Sequence, residues 1–171
     1  MYKELEVVEG GSVFIINDNG RPEPYGDALL TKIEIVNPSP RDIAFFDLRC
    51  FYPETNMNVS LLTRRTMLDD LRDKNLLRAV ENKKGDVDLA ELIIPEKNYG
   101  VLKSGSFTKF DILMFPKTDA KEVFLSFKVA KKSIIKDPFA VTGRKRFKHY
   151  GVAYNTQSWA ESLSKAKSIN S

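Results

Sequence analysis

Pro38 and Pro40 divide the stretch from Leu29 to Tyr52 into two alternating runs, and this division constrains the fold more than any other feature of the chain. In the first run, Leu29 to Val36, residues Leu29, Ile33 and Ile35 share a face with Thr31, and Lys32 and Glu34 point the other way. In the second run, Ile43 to Tyr52, the alternation places Ala44, Phe46, Leu48, Cys50 and Tyr52 on one face. A period of two is what a half-buried antiparallel strand requires. The prolines stop both helix and ladder, so Asn37-Pro38-Ser39-Pro40-Arg41-Asp42 is a turn between two strands.

The remaining strands follow from the same pattern. Ser12 to Asn17 reads as a short strand ended by the turn Asn17-Asp18-Asn19-Gly20. Met57 to Thr66 is a weaker strand, and Asp86 to Ile94 is strand or helix, closed by Pro95. Phe107 to Phe115 alternates with Phe110, Ile112 and Met114 on one face. Lys121 to Ala130 alternates most cleanly, with Val123, Leu125, Phe127 and Val129 inward and Phe124 the exception. Arg144 to Tyr154 is the last strand. Two capping-box patterns point to helix: Thr66-Met67-Leu68-Asp69 opens a short helical insertion at about 67–82, and Ser158-Trp159-Ala160-Glu161 opens a C-terminal helix with Trp159, Leu163 and Ala166 on one stripe. The expected fold is mainly β, an antiparallel sandwich over residues 1–155 with a helical tail at 156–171. Its expected core contains Ile33, Ile35, Phe46, Leu48, Phe110, Ile112, Leu125 and Phe127.

Two turns carry a resemblance. Ile33-Glu34-Ile35-Val36-Asn37-Pro38-Ser39, and later Leu102-Lys103-Ser104-Gly105-Ser106 leading into a Phe-x-Ile strand, resemble the turns of bacterial immunoglobulin-like β-sandwich modules. The resemblance spans roughly residues 12 to 130 and implies an immunoglobulin-like sandwich that binds partners or spaces domains, with no chemistry of its own. The helical insertion, the basic C-terminal region and the missing export signal depart from that pattern.

The content of 42% hydrophobic and 29% charged residues in 171 is that of a globular chain with a sizeable core. Met1 to Glu6 has no apolar run of the signal-peptide kind, and no stretch approaches the roughly 20 apolar residues of a membrane helix. A cytoplasmic protein, or one assembled into a particle, is expected. The net charge of +4 is unevenly spread. Glu4, Glu6, Glu9, Asp18, Glu23 and Asp27 make the beginning acidic, and Lys128 to Lys148 make a later stretch basic. Such runs are solvated faces or complementary surfaces, within the fold or between copies.

Few residues are available for chemistry. Cys50 is the only cysteine and His149 the only histidine, so neither a disulfide nor a zinc site can be assembled within the chain. A Cys50–His149 dyad would place the nucleophile on an apolar strand face, where a catalytic thiol is not expected. Asp69, Asp70 and Asp73 lack the spacing of a calcium loop. No cofactor motif is present and no enzyme activity is expected. The partner-binding candidates are Arg144, Lys145, Arg146, Lys148, His149, Tyr150 and Tyr154, together with Trp159 and Leu163 of the tail. If extended, the basic segment would put Arg146, Lys148, Tyr150 and Tyr154 on one face. That arrangement suits single-stranded nucleic acid, an acidic protein surface or a charge-protected edge strand. The leading expectation is a protein–protein interaction or structural module, such as a subunit of a phage or virus-like particle or another homo-oligomer. The alternative is a nucleic-acid-binding module using 144–154.

Overall fold

The structure is a computed structural model, and it describes residues 4–117, 119–131, 147–157, 159 and 161. Its strands are β1 (Glu6–Val8), β2 (Val13–Ile16), β3 (Pro22–Pro24), β4 (Ala28–Asn37), β5 (Ile43–Phe51), β6 (Asn58–Leu61), β7 (Leu76–Glu81), β8 (Val87–Glu91), β9 (Gly100–Leu102), β10 (Ser106–Phe115), β11 (Glu122–Ala130) and β12 (Phe147–Asn155). All pairings among them are antiparallel. The larger sheet has the order β1-β4-β10-β6-β5-β11-β12, with β9 also on β5, and the smaller has the order β3-β2-β7-β8.

Strands β4 and β10 form a wall that is buried on both faces over 28–31 and 111–114. Leu29, Ile33, Ile112 and Met114 enter one apolar cluster; Ala28, Leu30 and Leu113 enter a second. Burial on both sides explains the continuous runs Ala28-Leu29-Leu30 and Ile112-Leu113-Met114, where a strand with one wet face would alternate. The first cluster also takes Leu48 and Cys50 from β5, Leu125 and Phe127 from β11, and Tyr154 from β12. The larger sheet therefore folds over on itself. β6 makes the passage: Asn58 and Val59 pair with β5, and Ser60 and Leu61 pair with β10. Between the ends of the folded sheet, the Thr31 hydroxyl and the Tyr154 phenol share a hydrogen bond of 2.9 Å. The second cluster lies between the wall and the smaller sheet, filled by Val13, Ile15, Leu76 and Leu92.

The two turns that carry the resemblance touch each other. Asn37 is 2% exposed, and its side-chain amide donates to the carbonyls of Arg41, Leu102 and Lys103 at 2.9, 3.0 and 3.1 Å. Its carbonyl oxygen accepts from Ser39 N at 3.1 Å. Asp42 accepts from Ser104 N at 2.8 Å and from Lys103 Nζ at 3.0 Å, and these bonds hold its carboxyl below the usual range.

The structure corrects two expectations. The stretch 67–82 is not a helical insertion. The capping box sits three residues earlier, at Thr63 and Thr66, and closes only a 3-10 turn, Arg64–Thr66. Leu76–Glu81 is then a strand, because β2 and β8 both pair with it. Ladder bonds and burial of Leu76 override the helix propensity of Leu-Leu-Arg-Ala. Gly85, with φ +83°, turns the β7–β8 hairpin. The second correction is Phe46, which points away from the core while Phe45 points in. Asp47 adopts φ +56°, and the ladder to β11 shifts between Ser126 and Lys128. This extra residue is a β-bulge, and it reverses the inward face on its N-terminal side. Ile33, Leu48, Ile112, Leu125 and Phe127 are buried as expected, with Ile35 and Phe110 packed against them. Of the tail, Gln157, Trp159 and Glu161 have helical backbone, and 162–171 lies outside the described residues.

Candidate functional site

The site is built on β12, the last strand of the larger sheet. Phe147–Asn155 pairs with β11 without a break, from Glu122↔Asn155 to Ala130↔Phe147. Residues directly opposite share a face, so Tyr150, Val152 and Tyr154 face inward with Phe127, Leu125 and Val123, and Phe147, His149, Gly151 and Ala153 face outward.

On the inner side, Tyr154 is 8% exposed and bonded to Thr31, so it is not available to stack on a ligand. Burial raises its pKa, with the Thr31 bond opposing. Tyr150 stacks on Phe127 at 5.4 Å and 16° and has Lys148 Nζ 4.8 Å above its ring. These two aromatic rings, with Ile33, Ile35, Leu102 and Val129, line an open cleft of about 510 Å³ between the ends of the folded sheet.

The outer side carries a different set. Phe46 meets Phe147 edge-on at 5.8 Å, Phe51 meets Phe124 at 5.2 Å, and Phe124 meets His149 at 6.5 Å. The Arg49 guanidinium lies 4.4 Å over Phe51, and Lys128 Nζ lies 5.2 Å over Phe147. Asp47 binds Lys128 and reaches Arg49 Nε at 3.8 Å, so the bulge residue also neutralises part of this cationic face. The Phe124 ring lies directly on Gly151, where a Cβ would come within 2.4 Å of it. Sequence reasoning missed Phe124, Phe147, Arg49 and Lys128 as a group. The signal was Phe124, the apolar residue that broke the alternation of β11.

Of the residues expected at the site, Lys148, His149, Tyr150 and Tyr154 lie on one strand but on both of its faces. Trp159 is 3% exposed within the first apolar cluster, so it packs on its own chain. Arg144, Lys145, Arg146 and Leu163 lie outside the described residues. Cys50 is 1% exposed in that cluster, and burial pushes its thiol up to about 12. His149 is exposed on the opposite face of the sheet, so the sheet itself separates the two. Asp69 pairs with Arg72, and among the described residues no three His, Cys, Asp or Glu side chains gather as a metal site. No helix among the described residues is long and apolar enough to cross a membrane.

The chain matches no protein-family model, no curated protein and no solved structure.

Proposed function

We propose that this protein is a non-enzymatic interaction module, a β-sandwich of the immunoglobulin-like kind, that docks protein partners along the exposed edge of β12 in the cytoplasm or within an assembled particle. One observation carries the reading. β12 ends the sheet with no strand on its outer edge among the described residues, and it does so between an apolar cleft and an aromatic face. A free ladder edge supplies main-chain affinity, and pockets for alternate side chains supply selectivity. The separation of Cys50 from His149 supports a role without nucleophilic chemistry.

The test is selection of linear peptides from a random display library on the immobilised protein. Enriched peptides should alternate apolar residues and should lose binding to His149→Pro, which removes an edge amide. Ligands that bind this variant undiminished would overturn the reading.

The second reading is a single-stranded nucleic acid on the outer face, favoured by Arg49 and Lys128 beside Phe51, Phe124 and Phe147. Rings and cations on a sheet surface suit stacked bases. Oligonucleotide binding that weakens steeply with salt and is lost on Phe147→Ala with Lys128→Ala would favour it over the first.

A further inference from the structure

A second strand of this chain, β8, also ends a sheet among the described residues. β8 ends the smaller sheet, and each of its five residues is exposed. Val87 and Leu89 are 66% and 59% exposed, an apolar surface on a sheet edge that no other strand among the described residues covers. Lysine and proline are among the devices that keep such edges from pairing. β8 has neither.

The hydrogen-bonding parity of both strands is fixed. Leu92 N donates to Leu76 O and Asn82 N to Asp86 O, so the even-numbered residues between them bond toward β7. The amides and carbonyls of Val87, Leu89 and Glu91 therefore point out of the sheet. Thr156 N donates to Lys121 O, so Val152, Tyr150 and Lys148 bond toward β11. The main-chain groups of Phe147, His149, Gly151 and Ala153 then point outward. Antiparallel pairing must oppose outward residues with outward residues. Leu89 opposite Gly151 satisfies this, with Val87 opposite Ala153 and Glu91 opposite His149. The same register lays Leu89 beside the Phe124 ring that covers Gly151, and brings Glu91 to His149 and Lys128.

We propose that β8 of one copy adds, antiparallel and in this register, to the outer edge of β12 of a second copy. The inference rests on the reading of β12 as a docking edge and names its partner. Charge selects this pairing over its rivals. Asp88 and Glu91 make β8 acidic, and Lys148 makes β12 basic. Pairing β8 with β8 would bring two acidic strands together, and β12 with β12 two cationic ones, so neither rival joins surfaces of opposite charge. The contact is thus heterologous, from one patch to a different patch, and it propagates into a ring or a filament. The two edges also belong to different layers. The smaller sheet packs on one face of the β4–β10 wall, and β12 belongs to the part of the larger sheet that covers the other.

The experiment is sedimentation of the full chain across a wide concentration range, with two variants on surface edges. Leu89→Pro removes an outward amide of β8, and His149→Pro removes one of β12; neither amide serves the chain's own ladder. Leu89→Asp and His149→Glu, which leave the backbone intact, repeat the pair should a proline variant fail to fold. Wild type is expected to associate beyond dimers as concentration rises. Each variant alone is expected to be monomeric. A mixture of a β8 variant with a β12 variant is expected to give dimers that grow no further, since each copy keeps the edge that the other lacks. Wild type that stays monomeric throughout, or variants that associate as wild type does, would overturn the proposal. A third arm titrates the peptides selected on β12 into the chain. If those peptides bind while wild type remains monomeric, self-pairing fails and the docking edge stands; if neither occurs, both fail.

Discussion

Asn37 donates its side-chain amide to the carbonyl of Leu102 at 3.0 Å, joining the turn after β4 to the turn before β10. With the contacts to Arg41 and Lys103, the two N–H groups of one buried amide are shared among three carbonyls. Removing it takes the donor from all three acceptors, of which the Leu102 carbonyl sits in a buried bond. Asn37→Ala is expected to cost roughly 1–3 kcal/mol in urea unfolding, the usual penalty for stranding a buried polar group. Asn37→Asp, which sets a carboxylate against carbonyls, is expected to cost more. An unchanged unfolding midpoint would show that the turns hold each other by other means.

The bulge at Asp47 predicts opposite outcomes for adjacent residues. Phe45 is 5% exposed in the first cluster, so Phe45→Ala is expected to lose about 3–5 kcal/mol, as large buried aromatics do. Phe127→Ala should lose a similar amount. Phe46→Ala should cost clearly less, because its ring keeps only the outer contact with Phe147. Equal losses at Phe45 and Phe46 in denaturant titrations would remove the bulge.

Cys50 predicts a dependence on alkaline pH. Its thiol is pushed up to about 12 from 9.0 by burial, so above pH 9 the unfolded chain has lost a proton that the folded chain retains. Stability is therefore present in full below pH 9 and falls as pH rises from 9 toward 12. The raised phenols of Tyr25 and Tyr154 act in the same direction above pH 10. Cys50→Ala should flatten the first part of this decline in thermal melts. Thiol reagents should label the wild type only at the rate of unfolding.

Glycine supports an aromatic ring at two places, which gives a fourth prediction. A Cβ at Gly151 would lie 2.4 Å from Phe124, and one at Gly100 would lie 2.7 Å from Phe45. Gly151→Ala is expected to destabilise by roughly 1–3 kcal/mol, the cost of overpacking. Phe124→Leu in the same chain should recover part of that loss. Additive losses in the double variant would mean that the ring does not press on Gly151.

Much of the fold was legible because β4, β10 and β11 carry their burial in their alternation. Burial of Leu30 and Leu113 on the second face escaped, because a period of two implies one buried side and one wet side. What escaped has definite causes. The bulge at Asp47 depends on one backbone angle, and Asp in a strand gives little warning of it. The helix expected at 67–82 failed because Leu76 and Leu77 suit either period, and only the long-range partner β2 decides between them. Lys148, Tyr150 and Tyr154 share a face, while Arg146, the fourth of that expected set, lies outside the described residues, and periodicity does not tell inside from outside. That depended on Thr31, 123 residues away.

The wall of β4 and β10 also sets an order of events during synthesis. β4 is made early and pairs with β10 along its length, from Asn37↔Ser106 to Leu29↔Met114. While the intervening chain emerges, both apolar faces of β4 have only β1 beside them to satisfy its ladder. Neither cluster can close before β10 arrives, so folding awaits contacts distant in sequence, the kind that form slowly. A nascent chain paused between the two strands leaves the apolar residues of β4 without the strand that completes both clusters, a state prone to aggregate.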